Sequence, residues 1–258
     1  MISRTKAVLN YRALVVNLAL KDLRLQYKHS ALGFFWSFLN PFFMLLIYTI
    51  AFKYILKSRV PHFTLFLLVA ELPWNWLQTV MLTGTNSLVN NANLINKVYF
   101  PRETIPVSVL LAATINFLLT FLTIFISMAL AHVWPSWNLL WLPLILLNQL
   151  LFLLGAALFL SILTVRFRDI YHFVQVGMVA WFYLSPVVYP LSDIPARYQL
   201  LAHLNPMADF IQQYRAIIIT GSHPYWWQLV VTMSGSLLIV MIASNFFKTK
   251  SRNIAEYL

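Results

Sequence analysis

The sequence has no cysteine, only seven acidic residues and only six glycines among its 258 positions, and each shortage closes a class of function. Without thiols there is no disulfide, no thiolate nucleophile and no Cys-ligated zinc or iron–sulfur site. The acids never pair within a motif, so catalysis by neighbouring carboxylates is not expected. The six histidines, at positions 29, 62, 132, 172, 203 and 223, are too dispersed to suggest a metal site. The glycines, at 33, 84, 155, 177, 221 and 235, never cluster, and no G-x-x-x-x-G-K-[ST] run occurs, so the phosphate-cradling loop of an ATPase is missing. No cofactor is therefore expected in this chain; if ATP drives it, a partner holds the ATP and Mg. Charge is scarce as well, at 10% of residues against roughly 25% in soluble domains. Nor does the N-terminus offer a cleavable signal, because the short apolar run Ala13 to Leu20 is followed by Lys21-Asp22-Leu23-Arg24 and not by small residues. The first full span is expected to act as an uncleaved signal.

What the sequence has instead is oil: 60% hydrophobic residues, 16% aromatic ones and a mean hydropathy of +0.74. A span needs about 20 mostly apolar residues to cross about 30 Å of hydrocarbon. Six stretches qualify: Phe34 to Leu56, Phe63 to Val89, Ile105 to Ala131, Leu139 to Val165, Ile170 to Tyr189 and Trp226 to Phe247. The expected fold is an all-α membrane protein of six transmembrane helices. The boundaries drawn are a cytoplasmic N-terminal segment 1–32, a six-span domain 33–248 and a cytoplasmic tail 249–258. Thirteen of the 18 Lys and Arg flank one face of this arrangement, which makes both termini cytoplasmic by the positive-inside rule. The net charge of +11 is thereby assigned to topology and acidic lipid, with no nucleic-acid partner.

Three polar features interrupt the oil. Lys21, Arg24 and Lys28 recur at helical spacing with Leu14, Leu18 and Leu25 on another face, which reads as an amphipathic helix lying in the membrane interface. Asn93 to Glu103, containing Lys97, Tyr99, Phe100, Pro101 and Arg102, forms a polar island between the second and third spans. Arg166-Phe167-Arg168-Asp169 makes a tight turn on the same face, where Asp169 can cap the next helix and pair with Arg168. Tyr99, Phe100 and Phe167 are expected to be exposed apolar groups that want a cover, making the two loops a docking surface.

Glu71 is the one acid inside an apparent span, and a charge there is a functional candidate by default; a position near the outer interface is the plainer explanation. Trp36, Trp74, Trp76, Trp181, Tyr183 and Tyr189 fit either an interfacial belt or a channel lining, because sugar C–H faces stack on aromatic rings.

These stretches resemble the permease subunit of bacterial type 2 ABC exporters for cell-surface polysaccharides, the branch that includes O-antigen and teichoic acid exporters. The resemblance runs in order through Leu32-Gly33, Trp36, Asn40-Pro41, Pro73-Trp74, Asn93-Leu94-Ile95, Lys97 to Glu103 with Pro106, and Val165 to Ile170. It continues through Ser185 to Pro190, Ile194-Pro195, Asn205-Pro206-Met207 and Tyr214-Arg215. It implies a homodimer paired with two copies of a cytoplasmic ATPase, set in the bacterial inner membrane. It further implies that Asn93 to Glu103 is a coupling helix seated in the ATPase and that short re-entrant gate helices lie at about Ser192 to Thr220. An aromatic-lined channel would pass a polyprenyl-linked polysaccharide. O-antigen is the cargo expected first; a permease of the same scaffold for teichoic acid, capsule, drug or lipid efflux is the alternative, and a membrane enzyme acting on lipid-linked sugars a distant one. Glu71 departs from the family pattern, which has a small residue before the Leu-Pro-Trp.

Overall fold

Long apolar runs in a bilayer have one way to satisfy their backbone, which is to bond internally as helices. The computed structural model describes residues 10–27, 30, 32–55, 57 and 60–251, and within them the only regular structure is helical. The helices are α1 (Arg12–Tyr27), α2 (Trp36–Tyr48), α3 (Phe63–Thr85), the short α4 (Ser87–Asn90) and α5 (Ala92–Lys97), and α6 (Thr104–Leu130). They continue with α7 (Leu142–Arg166), α8 (Ile170–Leu184), α9 (Ala196–His203), α10 (Pro206–Arg215) and α11 (Trp226–Lys250). A π-helical stretch, Thr49–Ile55, extends α2, and another, Ala216–Thr220, extends α10.

Among the described residues five helical segments are long and apolar enough to cross a membrane: Phe38–Ile55, Phe63–Thr85, Thr104–Leu130, Trp137–Arg166 and Trp226–Lys250. The expected fifth span is shorter than drawn. α8 has 15 residues, about 22 Å of helix, and stops at Leu184 instead of reaching Tyr189. Ser185 stands before Pro186, whose ring pushes it out of the helical region, and Ser185 is extended at φ −98, ψ 142. After this break come α9 and α10 in the segment expected to hold gate helices. Pro206 opens α10 where its missing N–H costs nothing, and the Asn205 side chain accepts from the Met207 N–H at 3.0 Å as the cap.

α3 is the central beam. It packs on α6, α7, α8 and α10, and Leu67, Val69, Ala70, Leu77 and Val80 are completely buried there. α7 and α11 make the most extensive contact in the chain. Gly155 permits it: a Cβ there would meet Ile239 Cγ2 at 2.6 Å, so only hydrogen lets the two backbones come this close. Buried polar side chains bridge the helices. Asn148 bridges Thr232 Oγ1 (2.7 Å) and Ser236 Oγ (2.9 Å), while Gln149 donates to the Pro73 carbonyl (2.9 Å) and accepts from Tyr214 Oη (2.8 Å). Such bonds contribute about 0.6–2 kcal/mol each in membrane bundles.

Arg215 corrects the charge assignment. The positive-inside count places it, with Lys53, Lys57, Arg59 and Arg197, in the loops opposite the termini, yet it is 5% exposed. Its guanidinium donates to the carbonyls of Pro186 (2.7 Å), Val187 (2.8 Å) and Phe66 (3.4 Å) and lies 3.4 Å from the centroid of the Phe66 ring. It ties the break after α8 to α3, so it is a staple and carries no information about topology.

A second apolar core gathers at the opposite end of the bundle, where Leu18 of α1, Leu88, Ile95, Phe100, Ile105, Leu158, Val165 and Phe247 meet. This core fixes the polar island and α1 against the ends of α6, α7 and α11.

Candidate functional site

A groove of about 810 Å³ opens along α3, walled by α2, α6 and α8. Its α3 wall carries Glu71, Asn75, Gln78, Thr79 and Thr83, which recur with the helical period and so share one helix face. Asn40 of α2 and Asn116 and Thr120 of α6 complete a polar lining inside helices that are otherwise apolar. Gln26 and Ser30 mark the end of the groove nearest α1. An amphiphilic trough through oil suits a ligand rich in hydroxyls, because polar groups at that depth need partners.

The aromatics suggested for a channel divide into three groups. Trp36 and Tyr183 line the groove and are 43% and 65% exposed, so their faces are open. Trp74 and Trp76 also line it but are 1% and 3% exposed. Trp76 is stacked on Phe117 at 4.5 Å and 12°, and Trp74 meets Trp181 edge-on at 6.0 Å, so these two rings build the wall and offer no free stacking face. Trp181 and Tyr189 lie outside the groove. Trp181 Nε1 donates to Asn205 Oδ1 at 2.8 Å, and Tyr189 Oη donates to the Tyr183 carbonyl at 3.1 Å, each bracing the break after α8.

The polar stripe on α3 was missed in the sequence reading, although its signal was present: polar residues at 71, 75, 78, 79 and 83 within an apolar run follow the helical period. Glu71 faces the groove from the α3 wall. It is 4% exposed, hydrogen-bonded to Asn75, and its Oε2 has no partner among the described residues.

At the other end, the island and the tight turn present a second surface. Asn93, Lys97 and Tyr99 are exposed, Tyr99 almost fully at 98%. Phe100 corrects the expectation of an exposed apolar group: it is 6% exposed and roots the loop in the second core. Arg102 Nη1 donates to the Ser251 carbonyl, tying the island to the end of α11, with Pro101 and Glu103 half-buried beside it. Arg166, Phe167, Arg168 and Asp169 are exposed, and the Arg166 guanidinium lies 5.6 Å from the Phe167 centroid. Asp169 occupies the N-cap position of α8 but its side chain makes no cap, and no ion pair joins it to Arg168. The turn closes with backbone alone, Phe173 N donating to the Asp169 carbonyl at 3.1 Å.

α1 packs against α6 through Val15, Leu18 and Ala19. Its apolar residues are not confined to that face, since Leu20 and Leu25 are 41% and 53% exposed, which corrects the placing of Leu25 with Leu18. Lys21 donates to Asn91 Oδ1 at 3.3 Å, joining the helix to the base of the island, and Arg24 is exposed. Partial burial raises the pKa of the Asp22 carboxyl while Lys21 beside it pulls it down. Lys28 lies outside the described residues.

Residues 14–219 match the ABC-2 type transporter family. Over 260 residues, 99% of each chain, the sequence is 34% identical to the O-antigen export system permease protein RfbA of Myxococcus xanthus. It is 33% identical over 246 residues, 95% of each chain, to a protein of the same name from Klebsiella pneumoniae. To the Polysialic acid transport protein KpsM of Escherichia coli it is 24% identical over 212 residues, 79% of this chain and 80% of that one.

Proposed function

This chain belongs to the ABC-2 type transporter family, and from that premise we propose that it is the channel-forming permease of an ATP-driven exporter of lipid-linked polysaccharide, most closely an O-antigen. The single observation that carries the reading is the groove, a hydroxyl-matching trough with two open aromatic faces running through apolar helices. The near-full-length likeness to two O-antigen export permeases supports the substrate class.

In this reading the chain works as a homodimer in the bacterial inner membrane, with both termini in the cytoplasm and six spans, α8 continuing across with the help of the α9–α10 segment. A second copy facing α2 and α8 would close the groove into a channel. Hydrolysis of ATP belongs to two copies of a separate ATPase that bind ATP and Mg, and this chain is not itself an enzyme. The island from Asn93 to Glu103 and the turn from Arg166 to Asp169 form the seat for that ATPase. Tyr99, standing free on a loop rooted by Phe100, is the side chain such a partner would cover. Movement of the seat reaches the groove through α3, which leads directly into α4 and α5, and through α8, which starts at the turn.

The test is export. A bacterium whose own O-antigen permease has been deleted, supplied with this chain and a partner ATPase of the same exporter class, should regain surface O-antigen. Lys97→Glu with Tyr99→Ala should abolish that gain while the protein stays in the membrane. Full surface glycan from the double variant would remove the seat assignment, and no glycan from the wild-type pair would remove the O-antigen reading. The second reading, a capsular glycan, is favoured by the match to the polysialic acid transporter.

A further inference from the structure

The electrostatics of the groove go further than its shape. Among its described lining residues Glu71 is the one acid, and there is no Lys, Arg or His. The carboxyl sits eight residues into α3, about 12 Å along the helix, with Asn75 one turn on as its hydrogen-bonding neighbour. The side chain is 4% exposed and its Oε2 has no partner among the described residues. The nearby cation does not compensate it: Arg215 lines a different cavity, near Pro190 and Trp227, and its guanidinium is committed to three backbone carbonyls. The open rings facing the same space, Trp36 and Tyr183, present π-faces that repel anions as well.

We propose that Glu71 makes the groove selective for neutral saccharide units and against anionic ones such as uronates. The proposal rests on the saccharide reading above and narrows its substrate class. Hydroxyl donors of a neutral sugar supply the partner that Oε2 lacks, with Asn75, Gln78 and Asn40 offering amides to the remaining hydroxyls. A sugar carboxylate in the same place would bring a second negative charge into a site of reduced dielectric with no cation among the described lining residues to meet it. Selection here works mainly by what is repelled.

The test uses the full chain in lipid nanodiscs and two probes of equal length, maltohexaose and hexagalacturonate, in mildly alkaline buffer where a carboxyl is ionised. Binding is read by thermophoresis. The wild-type chain should prefer maltohexaose by on the order of 30-fold, the size of one like-charge pair several ångström apart in a site of intermediate dielectric. Glu71→Gln should bring the ratio close to one. Asn75→Asp, which adds a carboxylate one turn away, should widen it, and gives an independent reading if Glu71→Gln does not fold. Equal affinity for both probes in the wild type, or a preference unchanged by Glu71→Gln and by Asn75→Asp, overturns the proposal and leaves the saccharide reading standing. Failure of the folded wild-type chain to bind either probe overturns both.

Discussion

α2 and α3 face the same groove from opposite circumstances. None of the Phe38–Ile55 span is buried, whereas 72% of the most apolar stretch of α3 is. α3 is clamped by α6, α7 and α10, and its polar stripe is held at fixed register. α2 and α8 turn apolar faces outward, with Phe42, Ile47, Phe173 and Val176 all exposed. In a bilayer that exposure is no defect, since lipid covers it as well as protein would. The difference therefore separates residues that hold the groove from residues free to meet whatever passes along it or docks beside it.

Substitutions can break this contrast or sharpen it, read by reversible unfolding in mixed micelles beside an export assay. The largest loss of stability should come from Arg215→Ala, about 3 kcal/mol or more, because it strips the donors from three carbonyls at the break after α8. Next is Gly155→Leu, where a side chain must enter a space that already closes at 2.6 Å; about 2 kcal/mol is expected, and a neutral result would mean that α7 and α11 separate easily. Gln149→Leu should cost about 1 kcal/mol by orphaning Tyr214 Oη and losing the bond to Pro73. Tyr183→Ala, on the open wall, should change stability by less than about 0.5 kcal/mol yet impair glycan export. A stability loss as large as that of Gln149→Leu would erase the distinction between the two walls.

Parts of this were legible beforehand. Helix positions followed from apolar length, the Asn205-Pro206 start of α10 is written in local chemistry, and the resemblance agrees with the family found by comparison. The polar stripe on α3 stands in the sequence at helical spacing, at positions 71, 75, 78, 79 and 83. Other features were out of reach. Tyr99 and Phe100 are neighbours of similar chemistry, yet one is 98% exposed and the other 6%, because only Phe100 meets the side chains of α1, α4 and α7. Arg215 looks like a loop charge until the carbonyls of Pro186 and Val187 are seen to surround it.

The sequence by itself determined that this chain is helical and lives in a membrane, because long apolar runs that cross a bilayer must satisfy their own backbone groups. Only the tertiary structure decided which face of each helix is covered, and so where the groove lies. The reason is physical: in water a hydrophobic face marks the core, but in a bilayer apolar faces meet lipid as readily as protein, so an apolar face alone does not mark what is covered. Burial there is set by close packing and by a few buried polar contacts, such as Gly155 against Ile239 and Gln149 against Pro73, which pair residues 84 and 76 positions apart in the chain.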